Sequence, residues 1–125
     1  MRVIPIFLAL LFTLIPQLAQ AQAKPGSFKI ITLGKSGSHA KDPGGEGTMI
    51  VGNNGQINGS VFSYDDGSTS PFKGAVSLRT GRGTITDTKT RKVYDVIFRT
   101  SQRTFVEISY SKRRSSSTGL IWGFR

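Results

Sequence analysis

Lysine and arginine are the residues whose number and placement point most directly to chemistry. The 125-residue chain carries 17 of them against 7 Asp and Glu, a formal charge of +10 at pH 7. This excess is uneven. Residues 24–72 hold four Lys against Asp42, Glu46, Asp65 and Asp66, whereas residues 73–125 hold twelve Lys and Arg against Asp87, Asp95 and Glu107, net +9. A field of that sign steers polyanions to the surface and binds them by releasing their counterions. The candidate contacts are Lys73, Arg79, Arg82, Arg99, Arg103, Lys112, Arg113 and Arg114, with Phe105 as a ring on which a sugar or base could stack beside Arg99. Guanidinium groups would take the phosphate or carboxylate, and the ring the flat face. The expected partner is an anionic polysaccharide, a lipid head group or nucleic acid, with association to a negatively charged envelope surface. The plainer alternative is a basic surface that only keeps the protein in solution.

Other chemistries find little support. There is no Cys and a single His, His39, so a disulfide framework, a thiolate metal site, a cysteine nucleophile and a multi-His centre within one chain are all ruled out. His39, Asp42 and Glu46 share one glycine-rich stretch but form a weak metal motif. Gly34-Lys35-Ser36 lacks the earlier glycine of a phosphate-binding loop, because position 29 is Lys. Asp65-Asp66-Gly67-Ser68 reads as a polar turn and lacks the alternate spacing of a calcium loop. No pair of acids suggests glycoside hydrolysis, and His39 lies outside any nucleophile-elbow pattern. The expectation is a non-enzymatic protein that needs no cofactor.

The elements that would position these side chains follow a leader. Met1-Arg2 precedes an apolar run from Val3 to Ile15, then Pro16, then two overlapping A-x-A sites, Ala19-Gln20-Ala21 and Ala21-Gln22-Ala23. This is the pattern of a secretory signal peptide. The run falls short of the roughly 20 residues that a membrane-spanning helix needs. Residues 1–23 are therefore read as a signal peptide and 24–125 as one secreted or periplasmic domain, with no transmembrane span in the mature chain.

From Lys24 onward no window keeps a helical period, whereas two-residue alternation recurs. Eight strands are predicted: Phe28 to Leu33, Thr48 to Gly52, Gln56 to Tyr64, Phe72 to Thr80, Gly83 to Asp87, Lys92 to Thr100, Thr104 to Ser111 and Gly119 to Phe124. The expected fold is all-β, a small antiparallel eight-stranded up-and-down barrel, with a β-sandwich as the alternative. Interior glycines Gly59 and Gly74 suit strands that coil strongly. Leu120, Trp122 and Phe124 are expected to face the core from the last strand, which closes against the first.

Turn chemistry sets the expected registers. A two-residue Asn54-Gly55 turn would place Ile50 opposite Gly59, and a Gly81-Arg82 turn would place Leu78 opposite Ile85 with Arg82 at the tip. A three-residue Ser101-Gln102-Arg103 connection would set Phe98 across from Val106 and Arg99 across from Phe105. Gly34 to Gly47 and Lys112 to Thr118 read as long loops. Two other functions remain open. One is a small apolar ligand held in a hollow among Tyr94, Val96, Phe98, Val106, Ile108 and Trp122; the other is a structural envelope protein that binds partners along a free sheet edge.

Overall fold

Period-two alternation of apolar and polar residues produces eight strands in the computed structural model, which describes residues 22–33, 43–102, 104–114 and 118–125. They are β1 (Gly26–Leu33), β2 (Pro43–Val51), β3 (Gln56–Ser63), β4 (Thr69–Val76), β5 (Arg82–Asp87), β6 (Val93–Gln102), β7 (Phe105–Lys112) and β8 (Thr118–Phe124). Each strand pairs antiparallel with its sequence neighbour, and β8 returns to β1, closing the barrel. The expected barrel is thus observed, and the sandwich is not. No helix among the described residues is long and apolar enough to cross a membrane.

Alternation places one apolar face inside. Phe28 and Ile30, Met49 and Val51, Ile57, Phe72 and Val76, Ile85, Val96 and Phe98, Val106 and Ile108, and Ile121 form a single core to which every strand contributes. No polar or charged side chain is buried among the described residues. An eight-stranded barrel is about wide enough for its own side chains to fill it. With no cysteine in the chain, that packing and the closed ladder of the barrel carry the stability.

Several expected details differ. The β2–β3 hairpin sets Met49 against Gly59 and Ile50 against Asn58, so Ile50 points outward and is 55% exposed. The loop has three residues, Asn53 to Gly55. Gly55 adopts φ +83°, and the Asn54 side-chain oxygen accepts from the Gln56 N–H at 3.1 Å. That is a turn closed by a left-handed glycine, one residue longer than the expected turn, and the extra residue reverses the face.

The β4–β5 connection is longer than expected too. Ser77 N–H donates to the Arg82 carbonyl at 2.9 Å, and Gly74, not Leu78, faces Ile85. Arg82 begins β5 and Arg79 sits in the turn, while Leu78 packs against the core. Between β6 and β7, Phe98 pairs with Ile108 and Arg99 with Glu107, a shift of two residues that preserves the inward set and ends in an irregularity after Thr100. Arg99 therefore faces a carboxylate-bearing residue across the ladder instead of Phe105.

The last strand closes against β1 but presents its other face. Gly119, Ile121 and Gly123 are buried, whereas Leu120 and Trp122 are half-buried on the outer wall and Phe124 is exposed. Space explains the choice. A Cβ at Gly123 would come within 2.7 Å of Val106 Cγ1, and one at Gly119 would enter the Tyr110 ring. Side chains from β7 already fill the interior there, so β8 turns its small residues inward. Glycine-rich sequence likewise misled at β2, which begins at Pro43 inside the expected loop. Residues 34–42, including His39 and Asp42, lie outside the described residues, as do residues 1–21.

Candidate functional site

Antiparallel order sends successive connections to opposite ends of the barrel. One end carries the β2–β3, β4–β5 and β6–β7 connections and both the entry to β1 and the exit from β8; the other carries the β1–β2, β3–β4, β5–β6 and β7–β8 connections. The first end is shut. Ala23 is fully buried there in the core, with its N–H donating to the Leu78 carbonyl at 3.1 Å.

Among the described residues, the second end opens onto a cavity of about 330 Å³. Its apolar lining comes from Val61, Phe72, Ile85 and Ile121, and its polar lining from Thr32, Ser63, Ser70, Asp87, Tyr94 and Tyr110. Such a volume sits at the low end of the roughly 300–1,000 Å³ common for small-molecule sites. Interior positions change from aliphatic to polar on approaching this end: Ile30 gives way to Thr32, Ile57 to Ser63, Ile85 to Asp87 and Ile108 to Tyr110. That gradient was a readable signal once register and strand direction were known. Of the expected hollow, only Tyr94 lines the cavity. Val96, Phe98, Val106 and Ile108 are packed core, and Trp122 is outside.

Tyr94 and Tyr110 meet edge to face with ring centroids 5.6 Å apart, an attractive geometry for aromatic quadrupoles. Burial raises the Tyr94 phenol above its ordinary value, and the charge of Asp87 adds to this. Burial is also the main cause for Tyr110, followed by Tyr94. Both hydroxyls therefore stay protonated and able to donate at neutral pH. Asp87 Oδ1 accepts from the N–H groups of Lys89 and Thr90 at 2.9 and 3.1 Å, which ties the carboxylate to the β5–β6 turn.

The mouth is rimmed by cations. Lys89, Arg91 and Lys92 occupy the β5–β6 turn, and Arg113 and Arg114 follow β7. Lys112 is half-buried, pairs with Tyr94 across the ladder, and shares the alternation of Val106, Ile108 and Tyr110, one inward position beyond the tyrosine. Arg113 pairs with Asp95 at 3.2 Å, with both side chains more than half exposed. An ion pair of that kind contributes little to stability.

The candidate contacts for a polyanion are therefore divided. Lys112, Arg113 and Arg114 stand at the open end, and Arg79, Arg82 and Arg99 toward the closed end. Lys73 is exposed midway along the outside of β4, and Arg103 lies outside the described residues. Phe105 is half-buried on the outer wall between Trp122, at a centroid distance of 5.9 Å, and Phe124, at 5.4 Å. The Trp122 indole donates to Glu107 at 3.1 Å. Phe62 and Tyr64 are the other exposed rings, in edge contact at 6.2 Å. No group of three or more His, Asp or Glu that could hold a metal occurs among the described residues.

Compared with family models, with curated proteins and with solved structures, the chain gives no significant match.

All three tyrosines have raised values; for Tyr64 the causes are desolvation and then Glu46. Absorbance titration of the native protein should show tyrosinate forming above the ordinary value of about 10, and at that value in denaturant. Within that window the folded chain keeps protons that the unfolded chain has released, so stability falls as pH rises through it. Urea midpoints at pH 9 and pH 11 should differ in that direction. Coincident native and denatured titrations would contradict the partly buried placement of Tyr94 and Tyr110.

Proposed function

We propose that this protein is an exported, non-enzymatic carrier that holds a small amphiphile in the open half of its barrel. Its apolar part would rest on Val61, Phe72, Ile85 and Ile121, and an anionic head would lie at the mouth among Lys112, Lys89 and Arg91. The observation that carries this reading is the cavity formed by the described residues, apolar at depth and polar toward a cationic rim. An apolar floor favours the hydrocarbon, the two tyrosine hydroxyls can donate to a head group, and the rim cations attract its charge from solution. Export rests on the leader pattern in residues 1–23.

The polyanion reading is the second choice, favoured by the net +9 of residues 73–125. Division of those cations between two ends weakens it, since one polymer would need a continuous stripe.

Calorimetric titration with decanoate, decanol and decylammonium tests both readings. Decanoate should bind most tightly. Val61→Phe and Ile121→Phe, which fill the cavity, should each weaken it at least tenfold, whereas Ile50→Ser on the outer wall should leave it unchanged. Lys112→Ser should reduce the preference for decanoate over decanol. Retention on heparin that survives decanoate saturation and is lost when Lys112, Arg113 and Arg114 all become Ser would favour the polyanion instead. Decanoate binding that is absent, or equal in the cavity-filled variants, would sink the carrier reading.

A further inference from the structure

The closed end contains chain that precedes the first strand. Ala23 has no exposed surface and belongs to the core cluster. The Thr100 hydroxyl donates to the Gln22 carbonyl at 2.6 Å, and Ala23 N–H donates to the Leu78 carbonyl at 3.1 Å. Gln22 also lies against the β4–β5 turn, where a Cβ at Gly81 would come within 2.7 Å of the Gln22 Cβ. Two residues beyond Ala23, the Arg125 guanidinium donates to the Pro25 carbonyl and sits 5.2 Å over the Phe28 ring. Gln22 and Ala23 are therefore the plug of that end.

The leader offers two A-x-A sites, one ending at Ala21 and the other at Ala23. From the plug contacts we infer that the leader is removed at the Ala21–Gln22 bond, so that the mature chain begins at Gln22 and keeps its plug. This inference rests on the export reading and is independent of the ligand. The reaction is hydrolysis by a leader peptidase of the exporting cell. One water adds across the peptide bond: the Ala21 carbonyl carbon gains the hydroxyl and leaves as a carboxylate, and the Gln22 nitrogen takes up protons to become an ammonium. Small residues at Ala19 and Ala21 meet the requirement of the site. Cutting two residues later would remove the buried methyl group, the donor to Leu78 and the acceptor of Thr100. It would also leave the charged Lys24 terminus beside an apolar gap, where unpaired polar groups are costly.

The test has two arms. In the first, the full chain is expressed with its leader in an exporting bacterial host, and the intact mass and N-terminal sequence of the product are read. A product starting at Gln22, with or without loss of ammonia from the terminal glutamine, is expected. A product starting at Lys24 overturns the inference, and an unprocessed chain starting at Met1 overturns the export reading along with it. In the second, chains beginning at Gln22 and at Lys24 are released from a cleavable fusion and melted. The shorter chain should melt lower by about 10 °C, given a sensitivity of roughly 4–8 °C per lost hydrogen bond's worth of stability in a domain of this size. Equal melting temperatures would show that the plug is dispensable and remove the physical reason for preferring the first site.

Discussion

Phe98→Ala should destabilise the barrel by about 3–5 kcal/mol, a large share of the roughly 5–15 kcal/mol available to a domain of this kind. Phe98 is 2% exposed and heads the fully buried side chains by volume. It pairs with Ile108 on β7, and its N–H donates to the Gly81 carbonyl at 2.7 Å, so its backbone is fixed while its ring fills the interior. Truncation leaves a cavity that strands tied on both sides cannot collapse into. Denaturant unfolding should show a lower midpoint at an unchanged slope, which separates lost stability from a changed unfolded state. Phe98→Leu should recover more than half of the loss. A loss below about 1 kcal/mol for the alanine variant would mean that the ring is not packed as described.

Gly47→Val should be comparably severe for the opposite reason. Gly47 lies in β2 between Ile30 of β1 and Val61 of β3, and a Cβ placed on it would overlap the Ser60 carbonyl. The obstruction is backbone that is itself part of a ladder, so it cannot move aside as a side-chain tip would. Overpacking ordinarily costs about 1–3 kcal/mol, and here the cost should lie at or above the upper end of that range. Gly67→Ala is the control. Its Cβ would meet nothing within 4 Å, so only the positive φ of that turn opposes it. Gly47→Val folding as stably as Gly67→Ala would refute the close approach of β2 and β3.

Legibility of the fold divided along physical lines. Strand existence and order could be read because alternation is a property of each segment alone, and the expected eight strands all occur. Register could not, because it depends on the length of the turn. Asn54-Gly55 suits a two-residue turn and also a three-residue loop closed by glycine, and Met49, Ile50 and Val51 are all apolar, so neither face was excluded by composition. The facing of β8 failed for a related reason. Leu120, Trp122 and Phe124 are the larger residues, yet the interior beside them is already taken by Val106 and Tyr110. The cationic half of the chain was legible as composition, but its separation toward two ends follows from strand direction. Thr32, Ser63, Ser70 and Asp87 line the cavity without any motif to mark them, since each is an ordinary strand-end residue until the sheet closes.

Closure of the ring also bears on when the fold can form. Seven of the eight seams join neighbours in sequence, but the seam between β1 and β8 pairs Lys29–Leu33 with Leu120–Phe124, far apart along the chain. Hairpins can assemble early from local contacts, whereas the β1–β8 seam pays the largest entropy of loop closure and forms late. Until Thr118–Phe124 arrives, β1 and β7 are raw edges and the interior is wet. A chain in which Thr118–Phe124 has not yet docked on β1 therefore remains pliable.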